Sequence, residues 1–249
     1  MKPTELTNLL QLAESTALWA GRHLKSKQSD WAKIVFAQDR DVKVKADKLA
    51  EEIILAQLKA ATDFPILTEE TGWHGEKSKW TWIVDPLDGS FNYSHHIPFC
   101  CVAIALVKDG EPRIGVVYDF NHDELFSGIV GVGSWLNHQS IKVSDTDVNK
   151  NAVLNTGFPA RSNYSAEALQ AFAQHMGQWR KVRMLGSAAL ALAYVAAGRA
   201  DAYQEQGTMF WDVAAGAALV TAAGGKVQLE GDIFKGPLSA RASNGALQH

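Results

Sequence analysis

Residues 99–119, FCCVAIALVKDGEPRIGVVYD, set two β-rich runs around a Lys-Asp-Gly-Glu turn. Asp-Gly between such runs is a strong hairpin signal, so the chain is committed to antiparallel sheet. The next segment, DELFSGIVGVGSWLN (123–137), continues the antiparallel pattern, its glycines marking bends or bulges. Upstream, FPIL (64–67) and KWTWIVD (79–85) also read as strands. Two helices precede them. The first runs from about Thr4 to Leu24 with Leu6, Leu9, Leu10, Ala13 and Ala17 on one stripe, and the second from about Val42 to Ala60 with Ala50, Ile53, Ile54 and Leu58 inward. The polar stretch between them, KSKQSDWAKIVFAQDRD (25–41), reads as a loop or flap.

From Asn151 the order changes. Strands NAVLNTGFP (151–159), KVRML (181–185), DAYQEQ (201–206) and KVQLE (226–230) alternate with helices YSAEALQAFAQHM (164–176), SAALALAYVAAG (187–198) and WDVAAGAALVTAAG (211–224). The chain is therefore expected to divide into an α+β half, residues 1–145, carrying the antiparallel sheet, and an α/β half, residues 146–249. The junction falls at Lys142–Asn151, with the halves closely packed and a small-molecule site in the cleft between them. A net charge of −3 without a Lys/Arg-rich run argues against a nucleic-acid footprint. No stretch approaches the length of a membrane span. The N-terminus, with Glu5, Glu14 and helically spaced apolar residues, does not read as a signal peptide. Cys100 and Cys101 are neighbours, and neighbours on a strand face opposite ways, so no disulfide is expected between them. A reducing, cytoplasmic home follows as the expectation.

The chemistry is concentrated in WIVDPLDGSFNY (82–93), where an apolar strand runs into Asp85 and Asp88. Pro86 fixes φ and lacks an N–H, so the strand is expected to end there in a pre-set turn. Gly89 permits a tight backbone, and Ser90 is placed to cap a short helix from Phe91, whose N-terminus would attract phosphate. Two carboxylates held close resist ionising unless a cation lies between them. Hard oxygen ligands beside a phosphate seat suit a divalent ion such as Mg²⁺. Alone, Asp-x-x-Asp-Gly-Ser is equally well explained as an acidic turn with a cap. Glu69-Glu70 after FPILT, Asp47 in the first turn of the second helix and Asp212 after Trp211 each have a similarly bland explanation singly. Together they put carboxylates at strand and helix ends throughout the chain, as a polynuclear metal site needs. His95 and His96 lack a third ligand at suitable spacing and read as loop residues. Trp80, Trp82 and Trp211 read as packing residues, and Lys33 and Lys43 as solvated.

TEE (68–70), WIVDPLDGSFNY (82–93), LGSAA (185–189) and EQGTMFWDVAAGAALVTAAGG (205–225), in that order, resemble the inositol monophosphatase family of Mg²⁺-dependent, lithium-sensitive phosphomonoesterases. The resemblance runs from about Asp41 to Gly225. It implies a layered αβαβα sandwich, two to three Mg²⁺ ions per active site and a homodimer. By motif position Glu69, Asp85, the Leu87 carbonyl, Asp88 and Asp212 are the metal ligands, with Asp85 bridging two ions. Asp47 and Ser90 form the pair that positions and deprotonates the attacking water, so Asp47, Glu69 and Ser90 carry catalysis. Gly89 and Ser90 offer backbone N–H groups to the phosphate. Gly186, Ser187, Ala188 and Glu205 hold the leaving group, and Glu69, Leu87, Asp88 and Asp212 also border the substrate. The sequence departs from the family in having Ser90 for threonine, Val44 where Val-Thr-x-x-Asp has its threonine, and a short Glu70–Asp85 segment that opens the entrance. The implied reaction is direct attack of metal-activated water, without a phosphoenzyme, on inositol 1-phosphate. The alternatives are a 3′-phosphonucleotide, fructose-1,6-bisphosphate or histidinol-phosphate phosphatase on the same metal core. A non-catalytic interaction protein is the alternative of another class.

Overall fold

The hairpin forms as the sequence expects: β6 (Cys101–Lys108) pairs antiparallel with β7 (Glu111–Asp119). Asp109 and Gly110 between them have φ of 53° and 85°, the two positive values that a tight hairpin of this hand requires. The structure, a computed structural model, describes residues 1–38, 41–158 and 163–247, and the backbone alone of 37, 38 and 41–43, so the side chain of Lys43 lies outside what is described, as do Pro159 and two residues of the 25–41 segment.

Around the hairpin an eight-stranded sheet is built in the order β10-β9-β8-β7-β6-β5-β3-β4. Its other strands are β3 (Ile66–Thr68), β4 (Gly72–His74), β5 (Trp80–Asp88), β8 (Glu124–Ile129), β9 (Gly133–Leu136) and β10 (Gln139–Ile141). A five-stranded sheet, order β12-β11-β13-β15-β14, combines β11 (Val153–Thr156), β12 (Lys181–Arg183), β13 (Ala202–Thr208), β14 (Lys226–Glu230) and β15 (Leu238–Ser243). Helices α1 (Pro3–Trp31) and α2 (Lys45–Ala61) cover one face of the large sheet, burying Leu10, Leu24, Ile54 and Leu58 against Trp82, Val84, Ile104 and Val116. Helices α5 (Ala188–Ala196) and α6 (Phe210–Ala222) fill the space between the sheets with Leu190, Leu192, Val213 and Leu219. Helix α4 (Ala166–Met176) lies beyond the small sheet, completing a layered αβαβα arrangement. The small residues of α6 let it lie close: a Cβ at Gly216 would stand 2.8 Å from Leu192 Cδ1 of α5. Among the described residues no helix is long and apolar enough to cross a membrane.

Four sequence expectations change. Helix α1 continues through Trp31, because residues 25–31 contain neither Gly nor Pro and extend a polar face into solvent. The remainder of the expected flap contains β1 (Ile34–Gln38), paired with β2 (Asp41–Val44), so α2 begins at Lys45 rather than Val42. Strand β5 does not stop at Asp85 but runs through Pro86 to Asp88. Strand β15, Leu-Ser-Ala-Arg-Ala-Ser, was not expected at all: it lacks β-branched and aromatic residues, yet Leu238, Ala240 and Ala242 are buried on its inward face.

Candidate active site

The register of two strands fixes where the carboxylates stand. Strand β3 runs parallel to β5, pairing Ile66 with Trp82 and Thr68 with Val84. The residue after each of these last partners is a carboxylate: Glu69, just past the end of β3, and Asp85 on β5. On the other side β5 pairs antiparallel with β6, but between Asp85↔Ala103 and Asp88↔Cys101 it spends three steps against two. That bulge decides the site. Residues three apart on a regular strand face opposite ways, and absorbing one residue turns Asp85 and Asp88 to the same face. Pro86, which has no N–H to give to a central strand, sits inside the bulge. The shared face is the one covered by α5 and α6.

Asp85 is 2% exposed and takes the Leu87 N–H at 3.0 Å. Burial pushes its carboxyl well above the usual range, and the charges of Glu69, Asp88 and Asp212 push it further. Asp88 docks on the start of α5: its Oδ2 accepts from the Ser187 hydroxyl at 2.6 Å and the Ala189 N–H at 2.7 Å. Burial raises Asp88 to about 6, against the lowering pull of those donors. Asp212 stands in the first turn of α6 and accepts the Met209 N–H at 2.7 Å. Asp47 does the same in α2, accepting the Val44 N–H at 2.6 Å, and is buried. Desolvation, then Cys100 and then the charge of Asp47 raise the phenol of Tyr93, which lies on α3 (Ser90–Ser94). Among the described residues no three Asp, Glu, His or Cys side chains close into a metal cage. Asp88 and Asp212 instead turn oxygens onto helix-terminal donors.

Ser90 is the first residue of α3 rather than its cap; the cap position belongs to Gly89, with φ of 85°. A Cβ there would lie 2.7 Å from the Phe99 carbonyl oxygen. Gly89→Ala is expected to lose about 2 kcal/mol or more from the left-handed strain and the collision. Thermal unfolding should show a fall of roughly 5 °C or more; an unchanged melting temperature would mean that the turn needs neither the conformation nor the space.

Gly186, also left-handed at φ 73°, precedes Ser187, which caps α5. Asn92 ties this loop to α3, its amide donating to the carbonyls of Phe99 at 2.7 Å and Leu185 at 2.8 Å. Sequence reasoning missed Asn92, because one partner is distant in the chain. Glu205 on β13 lies so near Gly157 that a Cβ there would stand 2.6 Å from its Oε1. It lines a cavity of about 300 Å³ with Phe158, Phe172, Met176 and Asn163, under α4. Burial and then the charge of Asp88 raise Glu205 to about 8. His95 and His96 are exposed loop residues, Lys33 is exposed, and Cys100 and Cys101 are buried free thiols in opposite cores.

The chemistry of this donor set is uniform. Asp85 has carboxylates as its main electrostatic neighbours, and every group is a hard oxygen donor, which fits a hard divalent cation better than a soft one.

Known proteins resemble this chain in sequence and in fold. The sequence profile of the inositol monophosphatase family matches residues 5–241. An inositol-1-monophosphatase from Mesorhizobium japonicum is 39% identical over 231 residues, 88% of this chain and 84% of that protein. The Nus factor SuhB of Xylella fastidiosa is 46% identical over 183 residues, 73% of this chain and 66% of that protein. The structure of an inositol monophosphatase from Anabaena (Nostoc) sp. PCC 7120 superposes with a TM-score of 0.83 at 38% identity, covering 97% of this chain and 92% of that one.

Proposed function

The chain belongs to the inositol monophosphatase family, and from that premise we propose that it is a Mg²⁺-dependent phosphomonoesterase acting on a small polyol or sugar phosphate, with inositol 1-phosphate as its substrate. The observation that carries this reading is the meeting of Glu69, Asp88 and Asp212 charges on buried Asp85 at adjacent strand and helix ends. Glu69, Asp85, the Leu87 carbonyl, Asp88 and Asp212 would hold the ions. When bound, paired divalent ions neutralise the phosphate and lower the pKa of water. The Ser90 hydroxyl would orient the attacking water and relay its proton to the Asp47 carboxylate. The N–H groups of Gly89 and Ser90 face the phosphate, while Gly186, Ser187, Ala188 and Glu205 hold the hydroxyl-bearing leaving group. The protein works as a cytoplasmic homodimer. Similarity to a relative named as a Nus factor supports a second reading, an interaction protein that has kept the fold.

Phosphate release separates the two. The assay offers inositol 1-phosphate, fructose 1,6-bisphosphate, 3′-phosphoadenosine 5′-phosphate and histidinol phosphate, with Mg²⁺ or EDTA, and includes an Asp85→Asn control. Mg²⁺-dependent release from inositol 1-phosphate, inhibited by millimolar lithium and absent from the control, is the expected result. Faster release from another member of the panel would reassign the substrate. Silence across the panel from folded protein would favour the interaction reading.

A further inference from the structure

Helix α2 carries a second buried carboxylate that the reaction as described does not use. Glu51 lies one turn beyond Asp47 on the same helix face and is 1% exposed. A buried carboxyl group needs hydrogen-bond partners to offset its lost hydration. Among the described residues the partners of Glu51 lie in the turn that follows β3. Its Oε2 accepts the Glu70 N–H at 3.0 Å, and its Oε1 accepts the Thr71 hydroxyl. The Thr71 oxygen lies 2.6 Å from His74 Nε2, and His74 Nδ1 lies 3.1 Å from Lys59 Nζ. These contacts have one consistent direction. Lys59 donates to Nδ1, the Nε2–H donates to Thr71, and the single hydroxyl proton of Thr71 goes to Glu51. An apolar side chain would fill the space below the turn, but it could not grip two donors of adjacent residues.

The gripped residues immediately follow Glu69, whose charge acts on Asp85. We propose that Glu51 is a positioning residue for the cation site: it holds the 69–71 turn from behind and so fixes the Glu69 carboxylate beside Asp85. This rests on the reading above, in which Glu69 and Asp85 hold the ions. Carboxylates that orient metal ligands typically change affinity or activity by about 10–100-fold when removed.

The test is Mg²⁺ binding by calorimetry and the Mg²⁺ dependence of phosphate release, on the full chain. Glu51→Gln and Thr71→Val are each expected to raise the Mg²⁺ dissociation constant and the half-saturating Mg²⁺ concentration by about tenfold or more, with kcat at saturating Mg²⁺ little changed. Thr71→Ser, which keeps the hydroxyl, is expected to bind Mg²⁺ as the wild type does. An unchanged Mg²⁺ constant in both Glu51→Gln and Thr71→Val overturns the proposal, and so does a lowered melting temperature with normal Mg²⁺ binding, which is the mark of a purely structural role. Should Glu51→Gln fail to fold, Thr71→Val decides alone. Wild-type protein that binds no Mg²⁺ would overturn the underlying reading itself, a failure distinct from normal binding in the variants.

Discussion

Asp88→Asn is expected to lower kcat/KM by about a thousandfold, leave the circular dichroism unchanged and raise the melting temperature of the metal-free protein. The three effects have one origin. The Ser187 hydroxyl and the Ala189 N–H converge on a single oxygen of Asp88. An asparagine can present its carbonyl oxygen to both, so α5 stays docked on the end of β5. What changes is the other half of the side chain: an NH₂ group replaces an oxygen where a cation would be met, and the negative charge is gone. Without metal that charge is a liability, since burial raises the Asp88 carboxyl to about 6 and the proximity of Asp88 raises Asp85 and Glu205 as well. Neutralising it relieves all three, the usual opposition between stability and a charged active site. Thermal unfolding in EDTA and steady-state phosphate release check the two sides. Full activity would remove Asp88 from the metal site. A melting temperature lowered by several degrees would show that the carboxylate stabilises the fold in its own right.

How much of this could be read from the sequence depended on how local each signal was. The Asp-Gly hairpin, the small-residue helix α6 and the alternating order after Asn151 are local patterns, and each appears where expected. The carboxylates at element ends were legible as a set. The device that turns Asp85 and Asp88 to one face was not read, although its signal was present: a proline in a strand flanked on both sides belongs in a bulge. Strand β15 left no such trace, since its place between β13 and β14 follows from the neighbours' hydrogen bonds rather than from its own Ser, Ala and Arg. Glu51 and Asn92 were unreadable for a related reason. A glutamate inside an amphipathic helix looks like any solvated charge until its partners, 19 and 20 residues along, fold over it.

The metal-free protein is expected to become less stable as pH rises, and added Mg²⁺ to reverse that trend. Asp85, Asp88 and Glu205 all have folded-state values above those of free carboxyls, Asp88 at about 6 and Glu205 at about 8. Between the ordinary carboxylate range and those values the folded chain binds more protons than the unfolded one, so unfolding free energy falls with pH across that window. Asp88 and Glu205 keep some surface open to water, which moderates their shifts, and the buried Asp85 dominates the direction. In EDTA the melting temperature should drop by roughly 5 °C or more from pH 5.5 to pH 8.5. On the proposed reading Mg²⁺ would bind Asp85 and Asp88 in their deprotonated form, so the stabilisation it brings should be small at pH 5.5, where protons compete, and largest at pH 8.5. The two profiles therefore diverge with rising pH, and catalytic rate at fixed Mg²⁺ should climb along the upper one. Parallel profiles with and without Mg²⁺ would mean that protons and the cation do not share these carboxylates. A flat profile in EDTA would mean that the acidic cluster is already neutralised by the protein's own cations, leaving a divalent ion nothing to compensate.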